Sequence, residues 1–254
     1  MNRTRRPNRA VSRPPAPGSA PRLRLDAWPT DPDVGHLMVL EHGAVPDENE
    51  LAVWIRRARR RGFRSLRTGA LFPDATRSVL GAGFHAIDSL VLLRIDLAAV
   101  APAMPRPRAD GQHRVTRLWA RHHAAAAALD RQAFGPMWGN DTRSLADIRR
   151  ATPAHWARRV GPGRCVDAFA ISGAGGRTGY VQRLAVHPDR RREGLAGALL
   201  NDSLEWMRAR GLDSALVNTG ATNEAALELY ERWGFQRLDD HLTVAELDLT
   251  VGTP

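Results

Sequence analysis

The amino-acid sequence predicts an α/β fold built from two related lobes, and three observations point there. Helix-like apolar periodicity alternates with short strand-like runs along most of the chain, the same order of punctuation occurs twice, and 43% of the 254 residues are apolar, enough to fill a core. In the first lobe a helix from about Glu48 to Arg61 stops at Gly62. The strand FRSLR follows, then PDATRSVL, the pair Gly83-Phe84 and the apolar strand IDSLVLLRIDL. In the second lobe a helix from about Gly194 to Arg210 stops at Gly211, followed by LDSALV, NEAALELYERW, the pair Gly234-Phe235 and LDDHLTVAELDL. The two glycines stand 21 residues apart in the first copy and 23 in the second, and both copies close on Asp-Leu. Glycine just beyond a helix is the expected stop signal, because it enters left-handed backbone at little cost.

Ahead of its helix the second lobe carries further elements. Arg114 to Leu118 alternates like a strand, Trp119 to Phe134 is an alanine-rich helix, and a second helix covers about Ser144 to Ala151. Strands are expected at His155 to Val160, Val166 to Ser172 and Thr178 to Val186, parted by the turn sequences GPGR and GAGG. Two proline-rich stretches set the boundaries. Residues 1–21 hold Pro7, Pro14, Pro15, Pro17 and Pro21 among arginine, serine and glycine, a composition that cannot bury enough apolar surface to offset ordering entropy, so a disordered basic arm is expected. Pro102, Pro105 and Pro107 mark a linker over residues 102–111, which leaves a lobe at 22–101 and a domain at 112–254.

Charge narrows the partners. The formal net charge is +10, but seven arginines precede the first acid, Asp26, leaving about +3 for the rest. All 37 basic residues are arginine, and no nucleic-acid-binding motif accompanies them. The longest apolar runs, Ser89 to Leu97 and Ala124 to Leu129, are too short to span a bilayer. The single cysteine, Cys165, cannot form an internal disulfide, and no Cys/His cluster has zinc-site spacing, so a metal-free cytoplasmic protein is expected.

The stretch from Leu184 to Leu200, LAVHPDRRREGLAGALL, joins a strand to a helix through a loop rich in arginine and glycine. The first N–H groups of a helix have no intrahelical partner and its dipole is positive there, so an anion placed at that end collects several hydrogen bonds. Gly194 and Gly197 allow close backbone approach, Ala196 adds little bulk, and Arg191 and Arg192 supply charge. A diphosphate suits such a junction.

Arg191-Arg192-Glu193-Gly194-Leu195-Ala196 resembles the Arg/Gln-x-x-Gly-x-Gly/Ala signature of the GNAT superfamily of acyl-CoA-dependent N-acetyltransferases. The preceding LAVHPD and the downstream string Asn223-x-x-Ala226-x-x-Leu229-Tyr230-x-x-x-Gly234-Phe235 are similar to that family too, in the right order. The resemblance covers about residues 112–250. It implies a mixed, mostly antiparallel sheet flanked by helices, with a truncated, degenerate copy in the first lobe, where HGAVPDENELAVWI lacks the loop signature and Val79 takes the place of the tyrosine. It further implies acetyl-CoA as cosubstrate, direct attack by an amine acceptor, and cofactor contacts from Leu184, Ala185, Val186, Arg191, Arg192, Glu193, Gly194, Leu195, Ala196, Gly197 and, beyond the thioester, Asn223. The strand carrying Leu184 to Val186 is expected to splay from its neighbour, exposing main-chain groups to the cofactor arm and to the thioester carbonyl. Tyr230 is the expected general acid towards the departing thiolate.

Where some relatives carry a glutamate base, this chain has Gln182 and Arg183, so no base is assigned; Asp130, Asp141 and His155 read as caps or surface residues. His122 and His123, adjacent on a helix, point apart and so argue against a shared metal, and Cys165 sits in a turn without an evident partner. Residues from about Phe134 to Ala154, with Trp138, and from Asp239 to Thr243 are expected to shape the acceptor pocket. A non-catalytic acyl-CoA sensor and an acyltransferase for longer acyl chains are the alternatives, and the acceptor and the oligomeric state stay open.

Overall fold

A computed structural model describes residues 23–40, 44–98 and 113–250. The expected arm at 1–21 and the linker at 102–111 lie outside the described residues. The chain divides into two compact units, the first taking residues 23–27, Asp33–Ile87 and 243–250 and the second Trp28–Pro32 with the described part of Asp88–Leu242.

The first unit opens with strands β1 (Leu23–Trp28) and β2 (Asp31–Val39), followed by α1 (Glu48–Arg60), β3 (Ser65–Thr68), α2 (Pro73–Gly81) and the start of β4 (His85–Asp96). The end of the last strand, β10 (Gln236–Asp248), completes it, in the order β1-β2-β3-β10. β2 runs parallel to β3, with Val34 opposite Ser65, while β10 runs antiparallel to β3, with Glu246 opposite Arg67. Leu37, Leu66 and Ala245 meet Leu51 and Ala58 of α1 and Val79 of α2 in an apolar core.

The second unit contains the rest of β4, β5 (Thr116–Arg117), α3 (His123–Trp138), α4 (Thr142–Arg150), β6 (Ala154–Val160), β7 (Ala168–Gly175), β8 (Thr178–Val186), α5 (Leu195–Ala209), β9 (Ser214–Gly220), α6 (Glu224–Arg232) and the start of β10. Its strands lie in the order β4-β9-β8-β7-β6-β5, with β8 and β9 parallel and the pairs β4–β9, β5–β6, β6–β7 and β7–β8 antiparallel. Side-chain alternation sorts the helices onto two faces. Phe169 and Ile171 of β7 pack on Ala126, Ala127 and Leu129 of α3 and Leu145 of α4, whereas Ala168 and Ala170 pack on Leu195 and Leu199 of α5. β7 is therefore apolar along most of its length, as a strand covered on both faces must be. No helix among the described residues is long and apolar enough to cross a membrane.

The repeat seen in the sequence is conformational as well. Gly62, Gly83, Gly211 and Gly234 all have positive φ, between 67° and 93°. After each helix the following residue reaches back by the same bond: Phe63 N–H to the Ala58 carbonyl, Phe84 to Val79, Leu212 to Met207 and Phe235 to Tyr230. These are the six-to-one hydrogen bonds of the Schellman stop, and they make Val79 and Tyr230 equivalent positions. The closing strands, however, are exchanged. β3 of the first copy pairs with β10, and β9 of the second copy pairs with β4 through Leu90–Asp96.

Charged groups line the first unit's sheet on the face away from its helices. Arg67, 8% exposed, donates to Glu246 at 2.7 and 2.9 Å. Burial, helped by the positive charges of Arg24 and Arg67 and opposed by Asp26, pushes His36 down to about 4. In the unfolded chain this imidazole takes its proton near its ordinary value of 6.5, so between pH 6.5 and 4 the unfolded state binds more protons. Stability from this group is complete at neutral pH and is lost as the pH falls through that window, by on the order of 3 kcal/mol. Urea midpoints measured from pH 7.5 to 4 are expected to fall less steeply for His36→Gln than for the native chain.

Candidate functional site

The first candidate feature lies in β8. Its parallel pairing with β9 covers only Thr178 to Val181 opposite Ser214 to Val217, yet β8 continues to Val186 on the β7 side. Gln182–Val186 and Asn218–Gly220 thus lack each other as ladder partners, which is the splay the resemblance implied. The β7–β8 register slips at the same place: Ile171 faces Arg183 and Ser172 faces Val181, leaving Gln182 as an extra residue. Such a bulge re-aims the side chains that follow it. Val181 and Leu184 consequently both pack in the cluster on the α5 and α6 side, while Ala185 packs on the α3 side.

The loop after β8 leads to α5 through a single 3-10 turn, Pro188–Arg190. Arg192 has φ +68°, the one non-glycine positive φ among the described residues, and Gly194 has φ +87°. Left-handed backbone at a non-glycine residue costs roughly 1–2 kcal/mol and is kept where the surroundings over-determine it. Here Arg190 pairs with Glu193 at 2.9 Å and Asp167 at 3.1 Å, and the Glu193 carbonyl meets His113 Nε2 at 2.7 Å. Arg190 holds the Glu193 carboxyl below its usual range. Glu193 is accordingly a brace of the loop, whereas Arg191 and Arg192 are exposed, and Arg191 reaches only the Ala133 carbonyl at 3.4 Å.

α5 begins on Gly194 with no side-chain cap. A Cβ built at Gly194 meets nothing within 4 Å, and at Gly197 it meets the Trp233 ring at 3.6 Å, so the first turn lies open at one position and close to the end of α6 at the other. The equivalent helix of the first copy is finished differently. Asp47 accepts from Glu50 N–H, Glu50 accepts from Asp47 N–H, and Glu48 adds a third acid, so the start of α1 is closed by a capping box and is negative. One repeat position is capped against anions and its counterpart is left uncapped beside two arginines. Leu195 is buried in the core, Ala196 and Gly197 are half-buried, and Leu184 and Val186 pack beside them.

Tyr230, on α6, is 5% exposed and packs 5.7 Å from the Phe235 ring in the cluster that holds Val181, Leu200 and Trp233. Burial raises its phenol well above the ordinary tyrosine value, and the charge of Arg183 opposes that rise, so the hydroxyl keeps its proton. Asn223 caps α6, accepting from Ala226 N–H and donating to Thr219 Oγ1 at 3.1 Å.

Asp130 is neither a cap nor a surface residue, contrary to the sequence reading. It is fully buried, and its carboxylate accepts two bonds from Arg183 at 2.7 Å, the Asn140 N–H at 2.7 Å and Asn140 Nδ2 at 3.2 Å. Arg183 also donates to the Trp138 carbonyl at 2.8 Å and lies 3.4 Å over the Phe134 ring. The bulge at Gln182 is what gives Arg183 this face. The segment from Phe134 to Asn140, bent at Gly135 (φ +76°), is thereby pinned to the splayed half of β8, and Trp138 stacks edge-on against Trp28 at 5.7 Å. Asp130→Ala would leave a nearly buried guanidinium unpaired and is expected to cost about 3–5 kcal/mol in urea unfolding, with much of it regained in Asp130→Ala/Arg183→Met.

The other sequence candidates stand apart. Asp141 caps α4 through Ser144 N–H, and Cys165 is exposed in a turn whose carbonyls at 161, 163 and 165 are held by the buried Arg159. His122 is buried with Nδ1 accepting from Trp119 N–H, while His123 faces Arg149. Sequence reasoning missed the Arg183–Asp130 pair, because nothing in a linear pattern marks a bulge or a contact between residues 53 apart.

Residues 115–235 match the model of the Acetyltransferase (GNAT) family. The mycothiol acetyltransferase of Thermobispora bispora is 32% identical over 178 residues, covering 65% of this chain and 59% of the relative, and that of Clavibacter michiganensis is 36% identical over 118 residues, covering 43% and 38%. The chain thus spans well under two thirds of the length of these relatives. A tandem GNAT protein from the clavulanic acid biosynthesis pathway shares the fold with a TM-score of 0.60 at 15% identity, over 92% of this chain and 80% of that one.

Proposed function

We propose that the chain is an N-acetyltransferase that moves an acetyl group from acetyl-CoA to an amine by direct attack. The carrying observation is the uncapped start of α5, with Arg191 and Arg192 exposed beside it, directly following a strand whose last five residues are released from β9. Open space at Gly194 and orphan amides in the first turn fit a diphosphate, and the free edge of β8 from Gln182 to Val186 fits an amide-bearing arm. The family match over 115–235 supports the same reading.

Bound there, acetyl-CoA would supply an activated thioester. The remaining work falls to this chain's own groups. Arg191, Arg192 and the amides of Gly194 to Gly197 hold the phosphates, and main-chain groups at Leu184, Ala185 and Val186 orient the acyl arm and face the oxygen that gains charge. Tyr230, protonated and shielded from water, gives its proton to the sulfur as the carbon–sulfur bond breaks. The acceptor amine arrives unprotonated, since Arg183 and Gln182 offer no base and Asp130 is consumed by its ion pair, and water takes the proton that the nitrogen loses once the carbon–nitrogen bond has formed. The segment held by Arg183, with Phe134 and Trp138, forms one wall of the acceptor site.

Incubation with acetyl-CoA and a panel of amines, peptides and ribosomal-protein N-termini, together with the acceptor of mycothiol acetyltransferases, is expected to release free thiol with at least one of them. Coenzyme A giving neither titration heat nor a thermal shift would overturn the proposal. Binding without turnover on any amine would leave the sensor reading, and a longer acyl-CoA copurifying by mass spectrometry would replace acetyl as the transferred group.

A further inference from the structure

A second concentration of positive charge lies at the β5–β6 edge of the second unit. Arg149, in the last turn of α4, donates from Nη1 to His123 Nε2 at 2.6 Å, and its Nη2 lies 3.4 Å from His155 Nε2. Arginine has no acceptor, so both imidazoles must present a lone pair and stand neutral in this arrangement. The Nε–H of Arg149 is buried and has no acceptor. Arg117, on β5, rests 4.2 Å over the ring of Trp119, which is 46% exposed.

Opposite charge is scarce here. Asp147 is the acid beside the cluster, and it pairs with Arg150 at 3.4 Å. The groups acting on one another are Arg149, Arg150 and Asp147 of α4, His123 of α3, His155 of β6 and Arg117 of β5. Burial together with Arg117 and Arg150 lowers Arg149, burial together with Arg149 and Arg117 lowers His155, and burial with Arg149 lowers His123. Four elements converge here, no carboxylate among the described residues pairs with Arg149 or Arg117, and both hydrogen-bond partners of the central guanidinium are bases able to take up a proton.

We propose that Arg149, Arg117, His123 and His155 form an oxyanion site that takes a phosphate dianion, free or as a small monoester, separate from the loop before α5. An oxyanion would accept from Arg149 and Arg117 and release the imidazoles to bind protons, so affinity for the dianion itself rises as the pH falls, while the dianion's share of total phosphate declines. This claim does not depend on acetyl transfer.

The test is titration of the full chain carrying Arg191→Ala and Gly194→Glu, which removes the phosphate-binding loop, with inorganic phosphate and with methyl phosphate. Calorimetry, with affinity referred to the concentration of dianion at each pH, is expected to find one site that tightens about fivefold from pH 7.5 to 5.5 and weakens at least about tenfold in Arg149→Met. Equal affinity for both ligands assigns the dianion itself, and a preference for the ester assigns a carried phosphate. Should Arg149→Met unfold, Arg117→Gln, an exposed change, is expected to weaken binding severalfold, and the His155 ring proton signals of the native chain are expected to shift during the titration. No heat in the loop variant, unchanged affinity in Arg117→Gln, or unmoved imidazole signals would overturn the proposal.

Discussion

Arg191→Ala combined with Gly194→Glu is expected to abolish coenzyme A binding. The glutamate would set a negative charge at the start of α5, where the amide donors and the helix dipole favour an anion, and the alanine removes one of the two exposed cations. Loss of a charge-assisted bond and gain of a repulsive charge each count for about 1.5–3 kcal/mol, so affinity should fall by at least about a hundredfold. The backbone at Gly194 is left-handed with φ +87°, and a side chain there adds roughly 1–2 kcal/mol of strain although the space is open. Gly194→Ala separates the two contributions: it carries the strain without the charge and should bind coenzyme A far better than Gly194→Glu. Calorimetric binding retained by the double variant would mean that the loop holds no phosphate.

Tyr230→Phe is expected to lower turnover by about a hundredfold or more while leaving acetyl-CoA affinity near normal. The phenyl ring keeps the packing against Phe235, Val181 and Trp233, so stability changes little and the hydroxyl alone is removed. Because the phenol is held above its usual range, no loss of rate from its ionisation should appear below pH 10. Unchanged turnover would remove Tyr230 from the chemistry and leave it a core residue like its counterpart Val79, which is 1% exposed.

Features written in local residues were legible in the sequence. β8 spans Thr178–Val186 as expected, the four repeat glycines are left-handed stops, and the loop before α5 is where arginine and glycine placed it. The helix expected to end at Phe134 does break there: Gly135, at φ +76° and ψ −178°, is not helical, and Pro136 starts a separate turn that runs to Trp138. β1 and β2 went unread, their alternation broken by Pro29, Pro32 and three aspartates. The two-residue β5 was expected to be longer. What sequence could not disclose is set by contacts between distant residues: the slip at Gln182, the Arg183–Asp130 pair it aims, and the pairing of β3 with β10 and β9 with β4.

That last pairing bears on how this polypeptide can be cut. A single break between Asp96 and His113 would divide the two copies along the chain, yet the fragment ending after Asp96 would carry away the neighbour that β9 needs, and the fragment starting at His113 would hold the one that β3 needs. Expressed singly, each half is expected to precipitate through an unprotected strand edge; mixed, the halves should reconstitute a nicked but folded molecule, a built-in two-piece complementation system.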